Sequence, residues 1–530
     1  MSARLAAVLD GYLDLRWRID PVEASAAGIH TFDGKLANFD ALSVREYIAA
    51  LRAYALSLEE EEADSLDDEI DRTAALHAVR HDLLVLEREK PFARDPAYHL
   101  THALNGIFVL LVRNGAGPDH RARAVLERLR EIPAFLDRAR TSLTRPGRIF
   151  VESARGMVKG GLALLSEAVG DEVMGSAAVS PDDVRTAHDD AAKSMLEFGA
   201  ELAEIAERAD DDFAIGRDLF DKKLHTAHMI QDNADELLRY GQRLRAEAEA
   251  ELERLSAEIK PGSDWRNVVR ELRADVPTRE SAIEEFAQAM RNARSFTAER
   301  GLMTVVTSPL DVVPTPGFLD SLVPFAAYQP PPAFSEDQRG LFFVTLPDHG
   351  KPWRGQCRSE LPSTALHEGV PGHHQHLVSA NRRERPVRRV LATPAMVEGW
   401  ALYCESLMAE QGFFTTPAER LFQAHHLLWR ALRIELDVSL QTRGMTPEAA
   451  SQVLQQDLGF DPASADAEVR RYCSMPTYQL CYAVGRRDLL RLRDDARRAR
   501  GDAFSLAAFH DELLSYGVLP VALARWGMGL

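Results

Sequence analysis

Apolar residues recur every three or four positions through most of the first 300 residues, with charged residues between them. The segments 73–90 and 240–259 are examples. A period near 3.6 residues is typical of an amphipathic helix, so the pattern predicts that this part of the chain is helical. Clusters of proline, glycine and serine at 144–147, 179–183 and 260–265 fit the boundaries between helices.

The pattern changes between residues 303 and 346. Residues 304–308 and 340–346 are short apolar runs that predict strands, and seven prolines fall between residues 306 and 335. The prolines after Tyr328 predict a long extended loop. In a compact chain, a long ordered loop more often has a function than not. Helical periodicity then returns and continues to the end. We therefore predict a mainly α protein with a small β-sheet.

Composition and charge indicate a globular protein and disfavour some kinds of binding partner. With 530 residues, 45% apolar and 27% charged, the chain has ordinary globular composition. Its net charge of -18 disfavours binding to nucleic acid and to anionic membranes. Charged residues interrupt the amino-terminal segment, which lacks the apolar core of a secretion signal, and no run approaches the roughly 20 apolar residues of a membrane helix. We expect a cytoplasmic protein with no nucleic-acid or membrane partner.

The densest cluster of chemically active side chains lies between residues 367 and 376. Four of the seventeen histidines fall within these ten residues, and Glu368 directly follows the first of them, His367. Neutral imidazole is a common zinc ligand, and zinc hydrolases keep the glutamate that activates water directly after the first histidine. The cluster predicts a zinc site with His367 as a ligand and Glu368 as the general base. A histidine-rich surface helix without metal is the alternative.

The spacing departs from the usual HExxH motif, in which a four-residue step brings both histidines to one side of a helix. Pro371 stands four residues after His367, and His373 and His374 follow. A six-residue step turns about 240° on an unbroken helix, so His373 can share the ion only if Pro371 and Gly372 distort the helix. His374 would face correctly but lie about 10.5 Å along the axis. We favour His373, with His374 as the alternative.

A third ligand is expected from another segment, because a catalytic zinc usually has three protein ligands and one open position. In the helix predicted after Thr393, Glu398 and Glu405 lie on an otherwise apolar face. A buried carboxylate needs a partner, and a metal ion or a ligating histidine provides one. We predict that Glu398 is the ligand and that Glu405 lies outside the ligand shell. Alternatively, Glu398 forms a buried salt bridge, for example with Arg433.

Two motifs resemble those of a known family. HEGVPGHH at 367–374 and VEGWALYCE at 397–405 resemble the bacterial family called domain of unknown function 885, whose members carry HExxPGHH followed by EGWA. Four other segments also resemble sequences of this family; they lie at 21–34, 94–100, 326–334 and 509–520. The motif order is similar to that of helical zinc peptidases of the oligopeptidase and thermostable carboxypeptidase kinds. This resemblance implies a small sheet beside the zinc-binding helices and supports His373 as the second ligand.

Two positions depart from the family pattern. The tyrosine that aligns with the family's is Tyr482, and Tyr478 adds a second tyrosine nearby. A phenol can donate one hydrogen bond, so Tyr482 is the predicted donor to the developing oxyanion and Tyr478 is the alternative. Gln441 stands where family members often have a histidine, which puts any role for that histidine in doubt.

These residues together predict a zinc metallopeptidase that cleaves short peptides. His367, His373 and Glu398 would hold one Zn²⁺ per chain, and Glu368 would accept a proton from the attacking water. Two alternatives remain: a helical scaffold that binds peptides without cleaving them, and a zinc hydrolase of another amide or an ester. The predicted regions, interlocked as one unit, are an N-terminal helical region, 1–295, and a catalytic zinc-binding region, 296–530.

Overall fold

The computed structural model describes residues 2–112, 116–316, 325–347, 353 and 355–530. Most of these residues are helical, and three short strands form one sheet, which confirms the predicted mainly α fold. Among the described helices, none combines the length and the apolar character needed to cross a membrane.

The helices are labelled α1 to α24 in chain order. They are α1 (Ala3–Ile19), α2 (Pro21–Ala27), α3 (Ala41–Glu60), α4 (Leu66–Leu84), α5 (Pro91–Arg94), α6 (Pro96–Val112), α7 (Pro118–Ser142), α8 (Arg148–Ala168), α9 (Asp171–Met174), α10 (Pro181–Glu207), α11 (Arg217–His228), α12 (Ala234–Ile259), α13 (Trp265–Leu272), α14 (Ala282–Glu299), α15 (Leu361–Glu368), α16 (His373–Asn381), α17 (Val387–Val390), α18 (Pro394–Glu410), α19 (Pro417–Thr442), α20 (Pro447–Leu458), α21 (Pro462–Ser474), α22 (Cys481–Arg500), α23 (Leu506–Ser515) and α24 (Val521–Gly527). The strands are β1 (Leu310–Pro314), β2 (Ala326–Gln329) and β3 (Gly340–Val344).

The chain forms two compact units. The first consists of residues 1–213, 316–322 and 332–337, and the second consists of residues 214–315, 323–331 and 338–530. The predicted division after residue 295 falls inside the second unit, which holds α11 to α24 and the sheet.

In the first unit, caps and glycines set the ends of short helices. Asp20 accepts hydrogen bonds from backbone N–H groups in the first turn of α2, where Pro21 takes the first position. The helix ends at Gly28, whose φ of 88° is a left-handed conformation that glycine adopts without strain. A 3-10 turn, His30–Phe32, follows, and α7 later begins at Pro118. These boundaries place His30 in the 3-10 turn and His120 in the first turn of α7.

In the second unit, α18 and α22 meet at two glycines. A β-carbon added at Gly399 would lie 2.6 Å from the Cα of Gly485. A β-carbon added at Gly485 would lie 1.9 Å from the carbonyl oxygen of Ala395. The two backbones therefore pack directly against each other, with no room for a side chain between them. Leu402 of α18 and Val484 of α22 share a hydrophobic core with residues of α12 and α19.

The sheet has the strand order β1-β3-β2. β1 pairs with β3 in parallel, with Leu310 opposite Gly340, and β2 pairs with β3 antiparallel, with Tyr328 opposite Phe342. Phe342 and Phe286 of α14 belong to one hydrophobic core. The sheet is thus anchored to α14 through its central strand.

The strand predicted at residues 340–346 is confirmed as β3, whereas the strand predicted at 304–308 is wrong. The backbone of that segment is bonded to a side chain of α16 instead of to another strand. The N–H of Val306 donates to Gln375 Oε1 at 3.0 Å, and Gln375 Nε2 donates to the carbonyl oxygen of Thr304 at 2.9 Å. Tyr328 lies in β2, just before the prolines of the predicted loop.

Candidate metal centre

His367, His373 and Glu398 lie together in the second unit. One possible ligand atom from each residue lies within 4.8 Å of the others, and His373 Nε2 is 3.3 Å from Glu398 Oε2. The two imidazole rings are nearly perpendicular, with centroids 4.8 Å apart. The side chains are largely buried. The structure thus brings together the three residues predicted as zinc ligands, with donor atoms close enough to share one ion.

The helix is interrupted between the two histidines. α15 ends at Glu368 and α16 begins at His373, with a four-residue turn between them. The N–H of Gly372 donates to the carbonyl oxygen of Leu366 at 2.9 Å. A β-carbon at Gly372 would lie 1.9 Å from the carbonyl oxygen of His367, so the turn requires glycine there. This interruption brings His373 beside His367, which an unbroken helix would not allow.

Helix α18 holds the turn in place. The indole N–H of Trp400 donates to the carbonyl oxygen of Pro371 at 2.9 Å, and the Cys404 thiol lies 3.4 Å from the same oxygen. Trp400 and Cys404 are completely buried. Because Glu398 belongs to the same helix, α18 positions one predicted ligand and also supports the turn that positions another.

Glu405 orients His367. The His367 Nδ1 lies 2.8 Å from Glu405 Oε1, and both side chains are buried. This contact leaves the other ring nitrogen, Nε2, available to a metal, as an outer carboxylate does for a ligating histidine. Burial raises the pKa of Glu405, but the hydrogen bond and charge of His367, together with the charges of Arg430 and His426, hold the pKa below its ordinary value. Glu405 is therefore an anion behind the ligand.

Glu398 is held by a partner at each oxygen. Tyr478 donates its hydroxyl hydrogen to Glu398 Oε1 at 2.6 Å, and Oε2 faces His373. Burial raises the pKa of Glu398, but the hydrogen bond and charge of His373, with the hydrogen bond of Tyr478 and the charge of His367, lower the pKa to about 2. Glu398 is thus ionised, which is the form that coordinates a metal.

Glu368, the predicted base, is the last residue of α15 and is partly buried. Its charge acts on His373. Burial lowers the pKa of His373, but the hydrogen bond and charge of Glu398, followed by the charge of Glu368, outweigh burial and raise it. The carboxylate of Glu368 is therefore close enough to His373 to act on its charge, and it does not belong to the group of three.

His374 is directed toward the sheet side of α16. Its Nε2 lies 3.0 Å from the carbonyl oxygen of Ser308, and its Nδ1 lies 3.0 Å from the hydroxyl of Tyr328. Both ring nitrogens are thus engaged in hydrogen bonds. Of the two candidate second ligands, the structure places His373, and not His374, in the cluster with His367 and Glu398.

The two candidate tyrosines lie side by side, with ring centroids 6.1 Å apart. Tyr478 contacts Glu398, whereas the ring of Tyr482 lies beneath the guanidinium groups of Arg433 and Arg430, at 4.8 and 5.9 Å. Burial, followed by the charge of Glu398, raises the pKa of Tyr482 to about 12. Tyr482 thus keeps its hydroxyl hydrogen at neutral pH and can donate it.

Arg433, the alternative partner of Glu398, and the buried His510 have other structural partners. Arg433 donates to Glu468 and to the Tyr472 hydroxyl, each at 3.2 Å. His510 is fully buried, with its Nε2 2.6 Å from the hydroxyl of Tyr403.

Sequence reasoning missed Tyr328 as a neighbour of the site. Its ring is parallel to that of His373, with centroids 6.5 Å apart. The only local signal was its place two residues before a run of three prolines, 330–332.

Two solved structures share this fold. One, from Shewanella oneidensis, is described as "a putative lipoprotein of unknown function"; it is 23% identical, with a TM-score of 0.82 and coverage of 100% of both chains. The other, described as "the putative lipoprotein from Colwellia psychrerythraea", is 16% identical, with a TM-score of 0.84 over 99% of this chain and 98% of that chain. No curated protein matches the chain. The family model described as "Bacterial protein of unknown function (DUF885)" matches residues 21–528.

Proposed function

The chain belongs to the bacterial family DUF885, and from the chemistry of the candidate centre we propose that it is a zinc-dependent hydrolase of short peptides. One observation carries the proposal: two imidazoles and a carboxylate, His367, His373 and Glu398, converge within 4.8 Å. Two histidines and one glutamate are a ligand set of catalytic zinc sites, which leave a fourth position open. The buried carboxylate of Glu405 behind His367 is the outer partner that such sites use.

The chain's own residues divide the chemistry among them. His367, His373 and Glu398 would hold the ion; a bound Zn²⁺ supplies Lewis acidity to water and to the substrate carbonyl. Glu368 accepts the proton of the attacking water and passes it to the leaving amine. Tyr478 positions Glu398 through its hydrogen bond. Tyr482 donates a hydrogen bond to the oxygen that becomes negatively charged as the carbonyl is attacked.

Two arguments favour a peptide hydrolase over the alternatives. The motif order is similar to that of helical zinc peptidases, which favours peptides over other amides and esters. A scaffold without chemistry would gain nothing from placing the ionised carboxylates of Glu398 and Glu405 next to two buried histidines, because burying charged groups is costly.

The proposal is tested by digesting a mixed pool of short peptides and identifying the products by mass spectrometry. We expect cleavage by protein purified without added metal, loss of cleavage after dialysis against a chelator, and recovery on addition of Zn²⁺. Cleavage that is indifferent to the chelator would contradict the zinc mechanism. Hydrolysis of amide or ester probes, with no peptide cleaved, would contradict the substrate class alone.

The choice of ligand is tested with a matched pair of adjacent histidines. His373→Ala should remove zinc-dependent cleavage and lower the zinc content by one ion per chain, because it deletes one of three ligands. His374→Ala should keep that zinc, because its ring nitrogens contact Ser308 and Tyr328 instead. The opposite order would show that the ligand assignment is wrong.

A further inference from the structure

A second group of metal-ligating side chains lies in the first unit. His30, Asp33 and His120 each offer a donor atom, and these atoms lie within 4.8 Å of one another. Asp33 Oδ2 is 2.8 Å from His30 Nδ1 and 2.9 Å from His120 Nε2. Within the part of the chain that the structure describes, this cluster and the one at residue 367 are the two groups of three such residues that meet this distance.

The fold brings this group together from two distant parts of the sequence. The end of α2 at Gly28 directs the chain into the 3-10 turn that begins at His30, and Asp33 directly follows that turn. His120 comes from the first turn of α7. His120 and Asp33 are separated by 87 positions in the chain, so no local hydrogen-bonding motif accounts for their contact.

Asp33 is fixed by a buried network on the side away from the histidines. Ser25 donates its hydroxyl hydrogen to Asp33 Oδ1 at 2.5 Å, and Arg128 Nη2 donates to the hydroxyl oxygen of Ser25 at 2.6 Å. Arg128 is completely buried, and Asp33 is 3% exposed. One carboxylate oxygen is thus held by the protein interior while the other faces both imidazoles. This is the arrangement in which outer partners orient a metal ligand.

The histidine side of the cluster is accessible. The side chains of His30 and His120 are 35% and 36% exposed. They line a cavity together with Gly28, Ser25 and Pro332. A small ion can therefore enter, and water can complete its coordination.

We propose that His30, Asp33 and His120 form a second binding site for a divalent transition-metal ion, with Zn²⁺ as the probe ion. Two imidazole nitrogens and one carboxylate oxygen suit zinc, iron and nickel better than calcium or magnesium, which take oxygen ligands. The ion would join the turn after α2 to the start of α7 and so stabilise the first unit. The site uses none of the residues of the proposed hydrolase centre, so it stands or falls separately.

The test counts zinc ions per chain. Metal-stripped full-length protein is dialysed against buffered free Zn²⁺, and bound zinc is measured by elemental analysis. We expect two ions in the wild type, one in His120→Ala, one in His373→Ala and none in the double variant. His188→Ala is the matched control, because His188 contacts Asp189 at 2.9 Å without belonging to either group of three, and it should keep two ions.

The outcomes separate the two sites. A single ion that is lost in His120→Ala but kept in His373→Ala would support the second site and contradict the proposed hydrolase. A single ion lost only in His373→Ala would overturn the second site. Folding is checked by circular dichroism in chelator; if His120→Ala does not fold, zinc is counted in His30→Ala instead.

Ser25→Ala should weaken zinc binding at this site about 10-fold, because it removes the outer partner of Asp33. An unchanged zinc affinity would contradict the role of this hydrogen-bond network.

Discussion

At the scale of single residues, the candidate centre includes two side chains, Glu405 and Tyr478, that contact the predicted ligands without belonging to them. Glu405 contacts His367 and Tyr478 contacts Glu398, so two of the three predicted ligands have a hydrogen-bonding partner outside the group of three. Such partners fix the direction and the basicity of a ligand. The roles of ligand, general base and supporting residue can therefore be tested separately by single substitutions.

Glu368→Gln should abolish peptide cleavage while leaving zinc content and melting temperature nearly unchanged. The amide keeps the shape of the side chain but cannot accept the proton of the attacking water. Loss of a general base typically lowers the rate about 10²- to 10⁴-fold. Turnover, bound zinc and thermal unfolding are measured on the same sample. Loss of zinc together with activity would show that Glu368 is a ligand, and a lower melting temperature with normal turnover would show a structural role.

Glu405→Gln should weaken zinc binding about 10- to 100-fold, because a neutral amide replaces the anion that orients His367. Affinity is measured by competition with a chromophoric chelator. Glu410→Gln is the matched control: Glu410 lies on the same helix but forms an ion pair with Arg493, so its loss should leave the affinity unchanged. Equal affinities in the two variants would mean that Glu405 has no part in holding the metal.

At the scale of the elements, the contact between α18 and α22 sets the position of Glu398. Gly485→Ala should lower the free energy of unfolding by about 1 to 3 kcal/mol, the typical cost of overpacking. The new β-carbon would lie 1.9 Å from the carbonyl oxygen of Ala395, so the helices must separate. Cleavage should fall as well, because α18 carries Glu398. Urea unfolding and turnover measure the two effects.

Gly156→Ala is the control for that substitution. Gly156 lies inside α8, and a β-carbon there would meet nothing within 4 Å. Alanine is about 1 kcal/mol more favourable than glycine in a helix interior, so this variant should be as stable as the wild type or more stable. Equal stability of the two variants would contradict the close helix contact.

The helices were predictable because the 3.6-residue period is a local property of the sequence. The strand β2 was not predicted, because four residues before a run of prolines give little pattern. The strand expected at 304–308 failed because Gln375, far along the chain, satisfies the backbone of that segment. The candidate ligands were identifiable from residue chemistry and spacing, but the parallel stacking of Tyr328 on His373 depends on long-range contacts that no local motif encodes.

At the scale of the whole molecule, buried histidines make stability sensitive to acid. Burial lowers the pKa of His228 and His425 to about 3 and that of His99 and His510 to about 4, from an ordinary 6.5. Between pH 6.5 and 4 the unfolded chain binds protons at these residues and the folded chain does not. The contribution of these four histidines to the free energy of unfolding is therefore fully present above pH 6.5, and it decreases as the pH falls from 6.5 to 4.

Two buried carboxyls whose pKa values are strongly raised act in the opposite direction. Burial raises the pKa of Asp95 and Asp437 to about 7, so in the folded chain they bind protons that the unfolded chain does not bind until the pH falls to about 4. Among these large pKa shifts, the four histidines outweigh the two carboxyls in this window. We therefore expect urea unfolding to show lower stability at pH 5 than at pH 7. A stability that is unchanged or higher at pH 5 would contradict this balance.

His425→Phe isolates one of these histidines. His425 packs against Trp265 and Phe422, so a phenyl ring fits the surroundings. Removing one titrating group should reduce the change in the free energy of unfolding by up to about 1.4 kcal/mol per pH unit between pH 6.5 and 4. The slope is measured by urea unfolding at several pH values. A slope equal to that of the wild type would show that His425 does not contribute.

The three consecutive residues Glu398, Gly399 and Trp400 do three different things: the first faces His373, the second contacts α22, and the third holds the turn at Pro371. Transferring the histidine motif alone to another helical protein would therefore move the turn without the tryptophan that supports it, and two predicted ligands without the third. The smallest transferable unit is therefore both motifs, on α15, α16 and α18, together with a glycine on a fourth helix that packs against α18 as α22 does.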